Sequence, residues 1–319
     1  MPTTEIHVPI SLNRQFATQT MLLVRSIAER AQLPGDWRVV LTVSRDTEHT
    51  LDTSLMGWTR DHRVELRWVE ERWWQRYHWA GTGLQMQLHA HDADVVLFMD
   101  ADTVVVGPLT ELVESVAADP AWAAWPAWQP PVGLDLDAAL LACGISDAKR
   151  DLSYSGFGLA FAAPRHCPPY FNLGFVAVEG ELARAMAQTI AADFEDVAAR
   201  FRNWYSSQVA ACVNILRHRY PYRALDMRYN LSNGDWDGAP EPRFDGVDES
   251  AAAAIADALR AARAAVADPR VLHYCVQSAH FSRARDMDGL DNLRAFCQRK
   301  GVDGGSARLQ RALLPLIAP

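Results

Sequence analysis

The segment from Asp94 to Pro108 constrains this chain more than any other. A short apolar run, Val95 to Met99, leads to two carboxylates, Asp100 and Asp102, and a second apolar run follows from Val104 to Val106. The first run has the length and β-branching of a strand buried on both faces. In parallel α/β sheets, ligands sit in the crevice beyond the carboxyl ends of such strands. An i, i+2 pair in extended chain points to one face, so the two carboxylates would repel unless something positive lay between them. A hard divalent cation with oxygen ligands, shared with phosphate groups, is the simplest partner. Asp100-Ala101-Asp102 therefore reads as a metal-diphosphate site. An Asp-rich turn is the alternative. The apolar runs on both sides weigh against it, because uncompensated acids in such surroundings are costly.

The stretch from Val96 to Leu109, centred on Asp100-Ala101-Asp102, resembles the strand-DxD-strand segment of GT-A glycosyltransferases, in particular their retaining galactosyltransferase and glycogenin-like group. The resemblance implies an α/β fold of GT-A type: a single domain over residues 1–319, with a Rossmann-like, mostly parallel mixed sheet flanked by helices. It also implies a nucleotide-sugar-binding half, 1–107, and an acceptor-binding half, 108–319.

The rest of the chain reads consistently with that class. Ile6 to Ser11 is the first expected strand, and Asn13 can cap a helix from Arg14 to Gln32. Trp37 to Val43 and Val64 to Val69 are further strands at βαβ spacing. Helices are expected from Glu70 onward through Trp73, Trp74 and Tyr77, over Leu109 to Ala118, over Glu181 to Phe201, and after Trp204. Ala121 to Trp128, rich in Trp and flanked by prolines, reads as a rigid wall rather than a regular element. Residues 135–169 are irregularly patterned, and Ser153 to Gly158 is expected to form a loop near the acceptor. An Ala-rich helix over Asp248 to Ala267, a strand from Val271, and helices near Asp291 to Cys297 and Ala307 to Ile317 complete the reading. Gly81-Thr82-Gly83 alone is too weak a signal for a phosphate loop.

Tyr170 to Val178 is a strand that carries Asn172 and Gly174. Glycine inside a strand marks a close approach of ligand or backbone, and a buried amide needs partners. The segment is similar to the Phe-Asn-x-Gly-Val strand of the same transferases, which implies that Asn172 faces the donor sugar and Gly174 lies beside it. The resemblance further implies contacts with base and ribose at Ser11 and Asn13, and with the donor sugar at Arg76. Gln208 and Asn214 match a family Asp-Gln…Asn pattern in which Ser207 replaces the acid. Tyr229 and Asn230 are expected to be structural or to face the acceptor.

By the same resemblance His273 is a third metal ligand beside Asp100 and Asp102. The family pattern His-x-x-Gly-x-x-Lys-Pro-Trp is only partly kept: Ala279 stands in place of the lysine that would neutralise a departing diphosphate. His280, Arg283 and Arg285 are the available substitutes, and Arg283 is preferred because guanidinium stays charged and binds bidentately.

The function so implied is metal-dependent transfer of a sugar from a nucleoside-diphosphate donor, with UDP the expected nucleotide and Mn2+ or Mg2+ the cofactor. The acceptor is an unassigned hydroxyl, and retention is expected at the anomeric carbon. A non-catalytic nucleotide-sugar-binding relative and a sugar-phosphate nucleotidyltransferase are the alternatives; the latter calls for a Gly-rich basic loop that Ser11 to Arg14 lacks. A net charge of -8 argues against nucleic acid as partner. Five scattered cysteines without metal-site spacing suggest free thiols. With no apolar run long enough for a membrane span, the cytoplasm is the expected compartment.

Overall fold

The computed structural model describes residues 1–45, 56–77, 92–127, 136–153, 166–201, 206–233, 257, 261–275, 278 and 280–317. The Gly81-Thr82-Gly83 stretch, the loop at 154–158, Trp128, Trp204, Ala279 and most of the expected Ala-rich helix lie outside these residues.

The first half alternates strand and helix: β1 (Thr4–Pro9), α1 (Arg14–Arg30), β2 (Trp37–Ser44), β3 (Val64–Val69), α2 (Glu71–Tyr77), β4 (Val95–Met99) and β5 (Thr103–Val105). The Asn13 side chain accepts from Phe16 N at 2.9 Å and so starts α1 as an N-cap. α3 (Thr110–Ala118) follows β5, then β6 (Trp122–Pro126), α4 (Leu136–Ala142), the two-residue pair β7 (Leu152–Ser153) and β8 (His166–Cys167), and β9 (Phe171–Glu179). Two long helices, α5 (Gly180–Arg200) and α6 (Ser206–His218), lead to β10 (Tyr222–Ala224), β11 (Leu231–Ser232) and β12 (Val271–His273). The chain closes with α7 (Arg283–Asp286), α8 (Leu290–Gln298) and α9 (Gly304–Leu313).

The principal sheet has seven strands in the order β10-β6-β9-β4-β1-β2-β3. β1 pairs in parallel with β2 and β4, β2 with β3, and β10 with β6, whereas β9 runs antiparallel between β4 and β6. β4 is buried throughout. Its Val96 and Phe98 face the core beneath α5 and α6, and Val95, Leu97 and Met99 face the core beneath α1 and α3. This two-sided burial explains the unbroken apolar run, since each alternate side chain meets a helix layer.

Two expectations are corrected here. Trp122–Pro126 is a strand of the principal sheet, not a wall. Its alanines have weak strand preference, but burial between β9 and β10, with Trp122 stacked on Phe98 at 6.2 Å, overrides propensity. Pro126 is tolerated because β10 pairs only with Trp122 to Ala124, leaving the missing N–H without a ladder position on that side. Residues 135–169 are not wholly irregular either: α4 packs against α6, and β7 pairs with β8.

A second sheet, β11-β12-β5, sits at the carboxyl end of β4. Its core joins Met21 and Leu22 of α1 to Val104, Leu272, Phe281, Phe296 and Leu309. Among the described residues, no helix is long and apolar enough to cross a membrane. All five cysteines are free thiols.

Candidate active site

β4 ends in the principal sheet and β5 begins in the smaller one, so the chain changes direction at Asp100-Ala101-Asp102. The segment is thus a turn, which corrects the extended-chain geometry expected for the two carboxylates. Both readings of the triplet hold together: the turn is what delivers the acids. Thr103 Oγ1 donates to Asp100 O at 2.7 Å, Asp100 N donates to Gly174 O at 3.0 Å, and Tyr274 N donates to Asp102 O at 2.9 Å. The turn is tied to β9 on one side and to β12 on the other.

β12 runs antiparallel to β5 with His273 opposite Thr103. That register sets the imidazole beside the turn: His273 Nε2 lies 3.4 Å from Asp102 Oδ1 and 3.7 Å from Asp100 Oδ2. One ligand atom from each residue falls within 4.8 Å of the others. A dication bonded at about 2.1 Å in octahedral geometry requires neighbouring ligand atoms about 3 Å apart and opposed ones about 4.2 Å apart. The three residues therefore fit a hard divalent metal in both spacing and donor chemistry. Gly174, at the strand position facing the imidazole, leaves no space there for a Cβ.

Charge within the cluster is strongly coupled. Burial alone would raise the carboxyl of Asp102, but His273 and the guanidinium of Arg283 outweigh it and draw the pKa down to about 2. Burial works against charge on His273, yet the neighbouring Cys275 sulfur and the Asp102 carboxylate hold its pKa well above the ordinary histidine value. Arg283, at the start of α7, donates Nη1 to Asp102 Oδ2 and stays about one-third exposed.

Asn172 Oδ1 accepts from Gly174 N at 2.8 Å and from Asn230 Nδ2 at 2.9 Å, while Asn230 Oδ1 lies 3.0 Å from His273 Nδ1. Asn230 is thereby part of the cluster, whereas the sequence alone reads it as structural or acceptor-side. A Tyr-Asn pair ahead of a short strand was the only signal.

The structure thus brings together Asp100, Ala101, Asp102, Asn172, Gly174, His273 and Arg283. Ser11 and Asn13 are exposed in the loop after β1, which neighbours β4 in the sheet. The oxygen of Asn13 is engaged in capping. Gln208 is half-buried in the first turn of α6, next to the buried Ser207. Arg76, His280 and Asn214 have partners elsewhere. Arg76 donates to Glu195 of α5 at 2.8 Å on an exposed surface. His280 turns its Nε2 toward Asp303, 3.5 Å away. Asn214 is fully buried between α5 and α6, where it donates to Thr189 and Asp193.

A family model of the Rhodobacterales glycosyltransferase domain matches residues 8–218, well over half of the chain. The chain belongs to this glycosyltransferase family. Among solved structures, the glycosyltransferase is similar to the galactosyltransferase LgtC, crystallised with donor and acceptor sugar analogs, at TM-score 0.53 and 14% identity, over 98% of this chain and 96% of that one. It is similar to GlyE of Streptococcus pneumoniae TIGR4 at TM-score 0.53 and 14% identity, over all of this chain and 61% of GlyE. A third likeness is to the bifunctional WbbM, with TM-score 0.51 and 14% identity over 98% of this chain and 52% of WbbM. The fold of the glycosyltransferase is the GT-A fold of these relatives. No curated protein matches it by sequence.

Proposed function

We propose that this glycosyltransferase moves a sugar from a nucleoside-diphosphate donor, with UDP the favoured nucleotide, to a hydroxyl acceptor with retention. The convergence of Asp100, Asp102 and His273 at the carboxyl edge of the principal sheet carries this reading. In it, residues 1–107 take the nucleotide and 108–319 the acceptor. Ser11 and Asn13, at the exposed end of β1, are assigned to base and ribose.

Asp100, Asp102 and His273 would hold Mn2+ or Mg2+. Bound there, such an ion would supply positive charge to offset the negative charge of a diphosphate leaving group. Arg283, charged throughout and partly exposed beside Asp102, is suited to grip the diphosphate oxygens. Asn172 has its oxygen committed to Gly174 and Asn230, so its amide hydrogens are the groups left to meet the donor sugar. Gln208 is assigned to the same sugar. Five free thiols suit a reducing compartment, and the cytoplasm is the proposed place of action.

The test incubates the protein with Mn2+ and a panel of nucleotide sugars and follows release of free nucleoside diphosphate. Turnover that falls at least about a hundredfold in Asp102→Ala supports the proposal. Turnover indifferent to that change overturns it. Ser207, in place of the family acid, favours a second reading as a binding protein without turnover. Tight donor binding with no release of diphosphate would establish that one.

A further inference from the structure

We propose that Asn230 is a positioning residue that fixes which nitrogen of His273 carries a proton, and so which faces the carboxylates. The inference deepens the metal-site reading given above. It starts from a donor whose polarity cannot be reversed, the backbone N–H of Gly174. That group donates to Asn172 Oδ1 at 2.8 Å, which fixes the amide of Asn172 with its oxygen toward β9.

The same oxygen lies 2.9 Å from Asn230 Nδ2. An oxygen already facing an N–H can only accept, so the NH2 end of Asn230 is turned to Asn172 and its oxygen to His273 Nδ1, 3.0 Å away. An amide oxygen has no proton to give, so Nδ1 carries the hydrogen. In a neutral imidazole the lone pair then resides on Nε2, the atom 3.4 Å from Asp102 and 3.7 Å from Asp100.

The chain of polarity runs from the backbone of β9 through two amides to the ring. Reversing either amide would set N–H against N–H or oxygen against oxygen in a buried place, where Asn230 is only 3% exposed. The backbone of Asn230 is held as well, its N–H donating to Met227 O at 3.0 Å. A buried asparagine needs partners of some kind. Here the partners admit one orientation, and that orientation suits a ligand nitrogen at Nε2.

The decisive measurement is the ring 15N spectrum of His273 in histidine-labelled protein at alkaline pH, where the imidazole is neutral. Nδ1–H with an unprotonated Nε2 is expected in the unaltered protein, and the opposite tautomer overturns the proposal without any variant being made. Calorimetry with Mn2+ gives the second readout. Asn230→Leu should lower Mn2+ affinity by about 10- to 100-fold and leave a mixed tautomer, as outer-shell partners of metal-bound histidine do. A folded Asn230→Leu with unaltered affinity and tautomer also overturns it. If the unaltered protein takes up no Mn2+ while the spectrum shows Nδ1–H, the metal reading fails and the role of Asn230 in orienting the ring stands.

Discussion

Gly174 lies close against the imidazole of His273: a Cβ built on it would collide with Cε1 and Nδ1. No rotamer change relieves such a contact, because the ring is held by Asn230 and the strand by its pairing with β4. Gly174→Ala is expected to displace His273, destabilise the protein by about 1–3 kcal/mol, as overpacking does, and weaken Mn2+ binding. Urea unfolding and calorimetry measure the two effects. Gly57→Ala, whose Cβ would meet nothing within 4 Å, is the control and should change neither.

Metal affinity is expected to rise with pH. To serve as a ligand, Nε2 of His273 must lose its proton, and the fold holds that pKa well above the ordinary 6.5. Below the raised value, each unit of pH lost should weaken Mn2+ binding by about tenfold, one proton being released per ion bound. Titrations in buffers of different ionisation enthalpy count that proton. Affinity flat from about pH 6 to about pH 9, a range running upward from near the ordinary histidine value, would contradict it.

Stability without added metal should follow the same groups with opposite signs. His273, raised on folding, contributes below its ordinary pKa, and the contribution is lost as pH rises through the raised value. Asp102, lowered to about 2, contributes above the ordinary 3.8, and the contribution is lost as pH falls from there toward about 2. Replacing Asp102 by Asn should flatten the acid limb of the unfolding midpoint. An acid limb unchanged by the substitution would show that other carboxylates set it.

Arg283→Gln removes one of the two cations beside a buried carboxylate. Because the guanidinium is about one-third exposed, the expected destabilisation is about 1–3 kcal/mol rather than the larger cost of a fully buried pair. If Arg283 grips the diphosphate as proposed, release of nucleoside diphosphate should also slow by about a hundredfold. Thermal unfolding and turnover on the same preparation separate the two. Arg283→Lys should restore stability better than turnover, since a point charge lacks the bidentate fork.

Asn214→Ala is expected to behave as a packing change. It leaves the buried Asp193 short of a donor and should cost about 1–3 kcal/mol, while turnover per folded molecule stays unchanged. A large loss of turnover at constant stability would place Asn214 in the site.

Local pattern alone made much of this fold legible. The strands at Val64–Val69 and Phe171–Glu179, the helix capped by Asn13, and the carboxylates after a doubly buried strand all follow from short-range periodicity and capping chemistry. A glycine and an asparagine inside an apolar strand likewise announced that something approaches it closely. What approaches was not written there. His273 reaches Asp102 only through the antiparallel register of β5 with β12, and Arg283 comes from a position 181 residues further along the chain.

Arg76, His280 and Asn214 carry side chains as suitable as those that converged, and tertiary packing sent them to Glu195, Asp303 and Asp193 instead. The Trp122–Pro126 strand formed against its composition for the same reason, since its neighbours in the sheet bury it. The sequence by itself determined most of the elements and the pair of acids, because hydrogen bonds and hydrophobic period act over a few residues. Family resemblance pointed to His273 and Arg283, and only the tertiary structure set them, with Asn230, around those acids, because strand register and helix packing act between segments that share no local signal.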